Sequence, residues 1–146
     1  MSRLGRQTGA GVGTPGYISP EELGGHRITT KSDTFSFAMI LWEMLTSAVP
    51  FHDYLSGPGV TYSVAKLRSL EIASKNLRPP IPADKDACRD FGISSALYAE
   101  YTAVIRECWR RETTERPDFD TLERRLVGLH RAMHKFKVDQ QEQRGK

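Results

Sequence analysis

Residues 33–46 restrict the fold most, because their apolar side chains lie on nearly every side of a helix. One apolar stripe along the helix consists of Phe37, Ile40, Leu41, Met44 and Leu45. The other apolar residues, which lie outside this stripe, are Phe35, Ala38, Met39 and Trp42. A helix of this kind must be surrounded by other parts of a structure. Because Ser36 and Glu43 interrupt the apolar run, and because a membrane span needs roughly 18 apolar residues, we expect a buried central helix. Its predicted N-cap is Ser32 or Asp33.

Three further helical patterns follow in the chain, and no segment alternates as a strand would. The patterns cover about residues 62–74, about residues 95–110 and a last segment that begins at Asp118 or Asp120. Ser19 and Pro20 also fit the N-cap and the first position of a short helix. With 38% hydrophobic and 27% charged residues, the 146-residue chain can bury one core. The predicted class is therefore all-α, in one domain.

The charge and the cysteines argue against several kinds of protein. The net charge of +3 is a mild excess that does not indicate nucleic-acid binding, although a basic helical nucleic-acid-binding protein stays open as an alternative. Cys88 and Cys108 lack the spacing of a metal site or a disulfide framework, and His130 and His134 have no third ligand near them in the sequence. With no signal peptide or membrane span predicted, we expect a cytoplasmic (intracellular) protein without a metal site.

Residues 11–16, GVGTPG, match the glycine-rich pattern of a loop that binds nucleotide phosphates. Lys31 and the triplet Asp90-Phe91-Gly92 could add a phosphate-binding lysine and a magnesium ligand in the right order. The match fails on physical grounds, because such a loop joins two strands and because Pro15 removes a backbone N–H that phosphate would need. We therefore expect no cofactor site in this chain, and we interpret the triplet as a turn anchored by its phenylalanine.

Five landmarks, in the correct order, resemble motifs of the protein kinase family. They are residues 13–21 (GTPGYISPE, similar to the end of the activation segment), 31–43 (KSDTFSFAMILWE, similar to the opening of the long central helix), 50–51 (PF), 78–82 (RPPIP) and 108–119 (CW followed by RPDF, similar to the closing motif). The chain thus resembles the helical C-terminal lobe of a kinase, from the end of the activation segment to the last helix. The N-terminal β lobe and the catalytic loop have no counterpart in the sequence. The mixture of motifs resembles the tyrosine-kinase-like group, which mostly phosphorylates serine and threonine.

The resemblance also implies roles for particular residues. It places Thr14, Gly16 and Tyr17 on the surface that holds the protein substrate. It implies a buried ion pair between Glu21 and Arg116, although these residues are far apart in the sequence. Three more residues have an implied structural role. Asp33 holds the catalytic loop in the family, and here, without that loop, it is expected to serve as a helix cap only. Trp42 and Trp109 are expected in the core. No catalytic residue or metal ligand is implied.

The sequence therefore predicts three segments: an activation-segment-like loop at 1–16, a partial protein kinase domain at 17–129 and a basic, polar, frayed tail at 130–146. Kinases transfer the γ-phosphoryl group of ATP to a protein hydroxyl with Mg²⁺, so the resemblance assigns ATP and Mg to the parent family and no cofactor to this chain. The expected partners are a protein substrate or another protein, and the missing kinase N-lobe. The first interpretation is a partial kinase domain that is inactive alone. The alternative is a non-catalytic helical interaction module.

Overall fold

The computed structural model describes residues 13–145, and all regular structure in that range is helical. The helices are α1 (Pro20–Leu23), α2 (Thr30–Thr46), α3 (His52–Leu55), α4 (Tyr62–Ser74), α5 (Asp84–Phe91), α6 (Ser95–Cys108) and α7 (Phe119–Arg144), with a 3-10 turn at Thr113–Glu115 before α7. The predicted all-α class is confirmed. The helices predicted at about 62–74 and 95–110 correspond to α4 and α6.

The helix α2 lies at the centre of the core and packs against α6. The Tyr101 hydroxyl of α6 donates to the backbone oxygen of Leu41 at 2.8 Å, and the Trp42 indole N–H donates to the backbone oxygen of Pro80 at 2.8 Å. The buried core includes Phe35, Ala38, Met39, Leu41, Trp42 and Leu45 of α2, Tyr98, Val104, Ile105 and Cys108 of α6, and Leu122 of α7. The prediction of a buried central helix is therefore confirmed for most of α2.

One side of α2 is open to solvent, although its apolar side chains lie on nearly every side of the helix. Ile40 and Met44 belong to the predicted apolar stripe, but Ile40 is 45% exposed and Met44 is 66% exposed. The described helices cover the other sides of α2. Large apolar side chains at a surface often mark a contact with other protein.

The start of α2 also differs from the prediction. Thr29 is the N-cap, and its hydroxyl accepts a backbone N–H of the first turn while the Ser32 hydroxyl accepts the Thr29 N–H. The prediction that Ser32 or Asp33 caps the helix is therefore wrong, because this reciprocal pair satisfies the free N–H groups earlier in the chain. Asp33 is exposed in the first turn, where its charge favours the helix dipole. The predicted caps Ser19 and Asp118 are both found.

The last helix is longer than the sequence predicts. Where a frayed tail is expected over 130–146, α7 continues to Arg144. The apolar spacing explains the difference, because it extends through Leu129, Met133 and Phe136 at intervals of four and three. Leu129 is buried and Met133 packs against the core. None of the described helices is long and apolar enough to span a membrane.

Two short helices, α3 and α5, are not predicted from the sequence. The helix α5 buries only Ala87 and has three apolar residues in eight positions, so it is too short and too polar to stand out as a helix in the sequence. It ends at Gly92, which adopts the left-handed conformation with φ of 60°, and Asp90 and Phe91 belong to its last turn. Because Phe91 is 43% exposed, the prediction that it anchors a turn is wrong.

Candidate functional site

A tight turn at residues 14–17, called the shelf below, precedes α1. The Tyr17 N–H donates to the Thr14 backbone oxygen at 3.1 Å, and Gly16 between them has φ of 93°. Thr14 is exposed, whereas Tyr17 is half-buried. The three residues that the resemblance assigns to substrate binding therefore lie in one turn. Their binding role stays a prediction.

Gly16 is required at its position for two reasons. Its positive φ is a conformation that residues with a Cβ atom adopt only with strain. A Cβ atom at this position would also lie 3.1 Å from the Pro50 backbone oxygen and 3.1 Å from Cδ1 of Leu55, which is tighter than most such contacts. The shelf thus lies directly against the connection between α2 and α3.

Gly16→Ala is expected to lower the free energy of unfolding by about 1–3 kcal/mol, the usual cost of a residue held in an unfavourable backbone conformation. Urea-induced unfolding measures the effect. Gly59→Ala is the matched control, because Gly59 also has a positive φ (78°) but nothing lies within 4 Å of its added Cβ atom. Gly16→Ala should therefore destabilise the chain more than Gly59→Ala. Equal losses would show that contact with Pro50 does not restrict the shelf.

Tyr17 fastens the shelf to α2. Its hydroxyl donates to Oε2 of Glu43 at 2.6 Å, and its backbone oxygen accepts from the Ser36 hydroxyl at 2.7 Å. Burial and the neighbouring Glu43 carboxylate raise the pKa of Tyr17 to about 12, so the hydroxyl remains a donor at neutral pH. The side chain of Tyr17 therefore turns inward, and the outward surface of the shelf comes from its backbone and from Thr14.

A buried ion pair joins α1, which follows the shelf, to the segment between α6 and α7. The Arg116 guanidinium donates to both carboxylate oxygens of Glu21, at 2.7 and 2.9 Å. Its other three N–H groups donate to the backbone oxygens of Lys31, Arg110 and Arg111. All five guanidinium donors are thus used, and the Arg116 side chain has no exposed area. The contact implied by the resemblance is present in the structure.

The environment of Glu21 favours its charged form. Burial alone would raise the pKa of Glu21, but hydrogen bonds from Arg116, from the backbone and from the Ser32 hydroxyl outweigh burial and hold the pKa below its ordinary value. The Ser32 hydroxyl donates to Oε1 of Glu21 at 2.8 Å. The pair is therefore ionised and fully hydrogen-bonded, which is the condition under which a buried ion pair is tolerated.

Two arginine side chains lie over the ring of Phe35 beside this ion pair. The Arg116 guanidinium carbon is 5.1 Å from the centre of the Phe35 ring, and that of Arg78 is 5.0 Å from it. Arg78 also donates twice to the backbone oxygen of Trp109, at 2.9 and 2.6 Å. Burial, together with the charges of Arg116 and Arg111, lowers the pKa of Arg78 to about 10. Sequence reasoning did not identify this stack, because the three residues lie in separate segments.

The other residues with an implied structural role lie apart from the ion pair. Trp42 and Trp109 are both buried, at 6% and 7% exposure. Asp33 is exposed near Glu22, and burial, Asp33 and Glu21 together raise the pKa of Glu22. The resemblance implies that Asp33 holds a catalytic loop. Residues 13–145 do not include such a loop, so this role of Asp33 stays a prediction.

The residues that match the nucleotide-binding pattern in the sequence lie in a turn and at a helix end. Residues 13–17 form a turn with an inward-facing Tyr17 and contain Pro15, so they do not present a row of N–H groups to a phosphate. Asp90 lies at the end of α5. Within residues 13–145, no group of three or more His, Cys, Asp or Glu side chains could hold a metal ion. Residues 11 and 12 of the glycine pattern lie outside the described range.

Comparisons with known proteins agree with the arrangement. A sequence model of the protein kinase domain matches residues 2–125. The chain is 30% identical over 126 residues to the probable serine/threonine-protein kinase roco5 of Dictyostelium discoideum, covering 86% of this chain and 4% of that protein. It is 30% identical over 118 residues to the probable serine/threonine-protein kinase drkC of the same organism, covering 81% and 13%. It is 32% identical over 117 residues to the serine/threonine/tyrosine-protein kinase HT1 of Arabidopsis thaliana, covering 80% and 25%. The chain spans a quarter or less of these relatives.

Proposed function

Because the chain belongs to the protein kinase family, we propose that it is the substrate-holding and structural part of a kinase domain of the serine/threonine class. Kinases of this class transfer the γ-phosphoryl group of ATP to a protein hydroxyl, and a reaction that uses ATP favours an intracellular location. The observation that carries the proposal is the buried pair of Glu21 and Arg116, which fixes the shelf region to the helical core.

The part of this chain in such a reaction is to position the protein substrate. Holding the reacting groups in place can by itself lower a reaction barrier by several kcal/mol. Contacts from Tyr17 to Glu43 and from Gly16 to Pro50 hold the shelf rigid, and Thr14 faces outward, where a polypeptide could lie. ATP with Mg²⁺ supplies the phosphoryl group and neutralises its charge when bound, and residues 13–145 do not form a site for them.

The exposed side of α2 supports the interpretation that the chain is one part of a larger domain. Asp33, Phe37, Ile40 and Met44 recur at intervals of four and three and therefore share this side. The Phe37 ring lies 6.3 Å from that of Phe119, which is itself 43% exposed. Ile40 and Met44 are thus exposed on the same side as Asp33, while Phe37 between them is half-buried. We infer that the rest of a kinase domain packs here.

A non-catalytic interaction module is the second candidate function. Within residues 13–145, no buried side-chain nitrogen or oxygen lacks a hydrogen-bond partner, and one continuous core joins α2, α6 and α7. These features favour a unit that can fold on its own. A module would use the shelf and the side of α2 to bind protein without phosphorylating it.

The full 146-residue chain is expected to show no saturable thermal shift with Mg-ATP and no transfer of labelled phosphate to a serine-rich protein mixture, because the residues that lower the barrier are not among those described. A catalytically complete relative is the positive control in both assays. A clear saturable shift by this chain alone would contradict the proposal that it is inactive alone.

Sequencing the transcript upstream of the codon for Met1 separates the two candidates. An in-frame segment with H-R-D and D-F-G motifs would support the kinase interpretation. Co-expression of that segment with this chain should then restore ATP binding and phosphate transfer. A stop codon directly before Met1, without such a segment, would contradict the kinase proposal and favour the interaction module.

A further inference from the structure

The middle of α7 carries positive charge that the described fold does not use. Residues 124–138 contain five Arg and Lys residues and no Asp or Glu. Arg125 is the one that turns toward α6, where it donates to Glu100 at 3.0 Å and pairs with Glu107. The other four have no carboxylate partner among the residues that the structure describes: Arg124, Arg131, Lys135 and Lys137.

Three of these four cations lie on one side of the helix together with two valines. This side is called the basic face and consists of Arg124, Val127, Arg131, Lys135 and Val138, which recur at intervals of three, four, four and three. All five residues are exposed, and the two valines are 43% and 38% exposed. The residues that α7 buries, Leu122 and Leu129, lie on the opposite side. The basic face thus points away from the core over roughly 21 Å of helix.

The charges on this face repel each other. Arg131 and Lys135 are one helical turn apart, and like charges at this spacing destabilise a helix. No hydrogen bond or ion pair to any described residue compensates them. The nearest carboxylates of α6 that α7 contacts, Glu100 and Glu107, are already bonded to Arg125. A partner that brings carboxylates to the basic face would therefore replace repulsion by attraction.

The two ends of the basic face limit the length of such a partner. Asp120 precedes Arg124 by four positions, and Glu142 follows Val138 by four, so both acidic residues continue the same side of the helix. A nucleic acid or an anionic membrane would extend beyond the basic face and meet these carboxylates, which repel it. A partner with about four turns of acidic helix fits between them. Charge complementarity therefore favours a short acidic segment of a protein over an extended polyanion.

The two valines favour a helical partner. They lie eleven positions apart on the basic face, with the cations between and beside them. Aliphatic side chains on a second helix can pack against both valines, because two helices that run side by side keep contact over several turns. The basic face contains no aromatic side chain, the kind of residue on which the bases of a nucleic acid stack.

We propose that the basic face of α7 binds an acidic, amphipathic helix of a partner protein. Carboxylates of that helix pair with Arg124, Arg131 and Lys135, and two of its aliphatic side chains cover Val127 and Val138. The bound helix lies between Asp120 and Glu142. The proposal does not depend on the proposed kinase function, because neither the shelf nor ATP takes part in this contact.

Two synthetic helical peptides of about four turns, with the same leucine positions and with either Glu or Lys at the flanking positions, test the proposal on the full 146-residue chain. Fluorescence anisotropy should show saturable binding of the Glu peptide that weakens as salt is added. The Lys peptide should bind at least tenfold more weakly, because its charges face cations. Duplex DNA and vesicles with anionic lipid are the competing probes, and both should bind more weakly than the Glu peptide.

Arg131→Glu reverses the charge at the centre of the basic face and should weaken binding of the Glu peptide at least tenfold. The introduced carboxylate lies one turn before Lys135, an arrangement that favours the helix, so circular dichroism should show an intact fold. Lys85→Glu is the matched control, because it makes the same charge change at an exposed residue of α5, and it should leave binding unchanged. A Glu peptide with Lys at its central flanking position should bind Arg131→Glu better than it binds the parent chain.

Four results would overturn the proposal. They are equal binding of the two peptides, equal losses in Arg131→Glu and Lys85→Glu, binding of the Glu peptide that does not saturate, and tighter binding of DNA or vesicles than of the Glu peptide. Sedimentation adds one more: a dimer of the chain that Arg131→Glu dissociates would mean that a second copy occupies the basic face. If the Glu peptide binds as expected but no upstream catalytic segment exists, the basic face keeps its function and the proposed kinase function is wrong.

Discussion

Arg116→Ala is expected to reduce the free energy of unfolding by about 3–5 kcal/mol, because it leaves the Glu21 carboxylate buried without its charged partner. The Arg116 side chain has no exposed area, so water can replace the guanidinium only if the structure opens. The substitution also removes the donor to the backbone oxygens of Lys31, Arg110 and Arg111. The midpoint of thermal unfolding should fall by on the order of 10 °C, and urea-induced unfolding followed by circular dichroism measures the free energy.

Two further variants control for charge and for the mere loss of an arginine. Arg116→Lys keeps the charge but loses the planar donor group, so it should recover only part of the stability. Arg125→Ala removes an arginine that bridges Glu100 and Glu107 with 25% of its side chain exposed, and it should cost less than about 1 kcal/mol. If Arg116→Ala unfolds like the parent chain, the structural role of the Glu21–Arg116 pair is wrong.

The pH dependence of unfolding tests the same pair. Because the pKa of Glu21 is lower in the folded chain than its ordinary value of 4.5, the unfolded chain binds this proton more readily. The stabilising contribution is therefore present above that ordinary value and is lost as the pH falls through the lowered pKa of the folded state. In the Arg116→Ala variant, burial still raises the pKa of Glu21, but the hydrogen bonds from Arg116 that lower this pKa are gone. This variant should therefore lose the acid-dependent part of its stability.

Phe35→Ala is expected to lower the free energy of unfolding by about 3–5 kcal/mol, the range found when a buried aromatic side chain is truncated. Phe35 is 4% exposed, so the missing ring leaves a cavity in the core. The guanidinium groups of Arg78 and Arg116 lose their contact with the aromatic ring as well. Urea-induced unfolding measures the loss, and near-ultraviolet circular dichroism reports whether the tryptophans stay packed.

Phe35→Leu separates the two contributions, because it fills much of the cavity but offers no aromatic face to a cation. It should lie between the parent chain and Phe35→Ala. Phe119→Ala is the control, since Phe119 is 43% exposed and its truncation should cost less than about 1 kcal/mol. A Phe35→Leu variant as stable as the parent would show that the stacked arginines gain nothing from the ring.

The sequence predicts the central helix and the helical class well, because the apolar periodicity around α2, α4, α6 and the start of α7 is strong. The contact between Glu21 and Arg116 could not come from local pattern. It joins positions 95 residues apart, and only the resemblance to a family suggested it. The stack of Arg78, Phe35 and Arg116 escaped prediction for the same reason. Neither propensity nor periodicity contains information on which distant segments meet.

The direction in which α4 faces could not be predicted either. Periodicity places the largest apolar residues on the buried side, whereas the structure buries Ala65 and Ser69 and leaves Leu67 outside. Close approach to the neighbouring short helices favours small residues, and the pattern of hydrophobicity does not register this steric requirement. The helix α5 is missed because it is short and mostly charged: five of its eight residues are Asp, Lys or Arg.

The five hydrogen bonds of Arg116 connect three parts of the chain: α1 through Glu21, the start of α2 through Lys31, and the segment after α6 through Arg110 and Arg111. None of these parts can separate from the others without breaking bonds to a single buried side chain. They therefore open together or not at all, as one cooperative unit. The shelf precedes α1 and is also bonded to α2 through Tyr17, so it links this unit to the middle of the central helix.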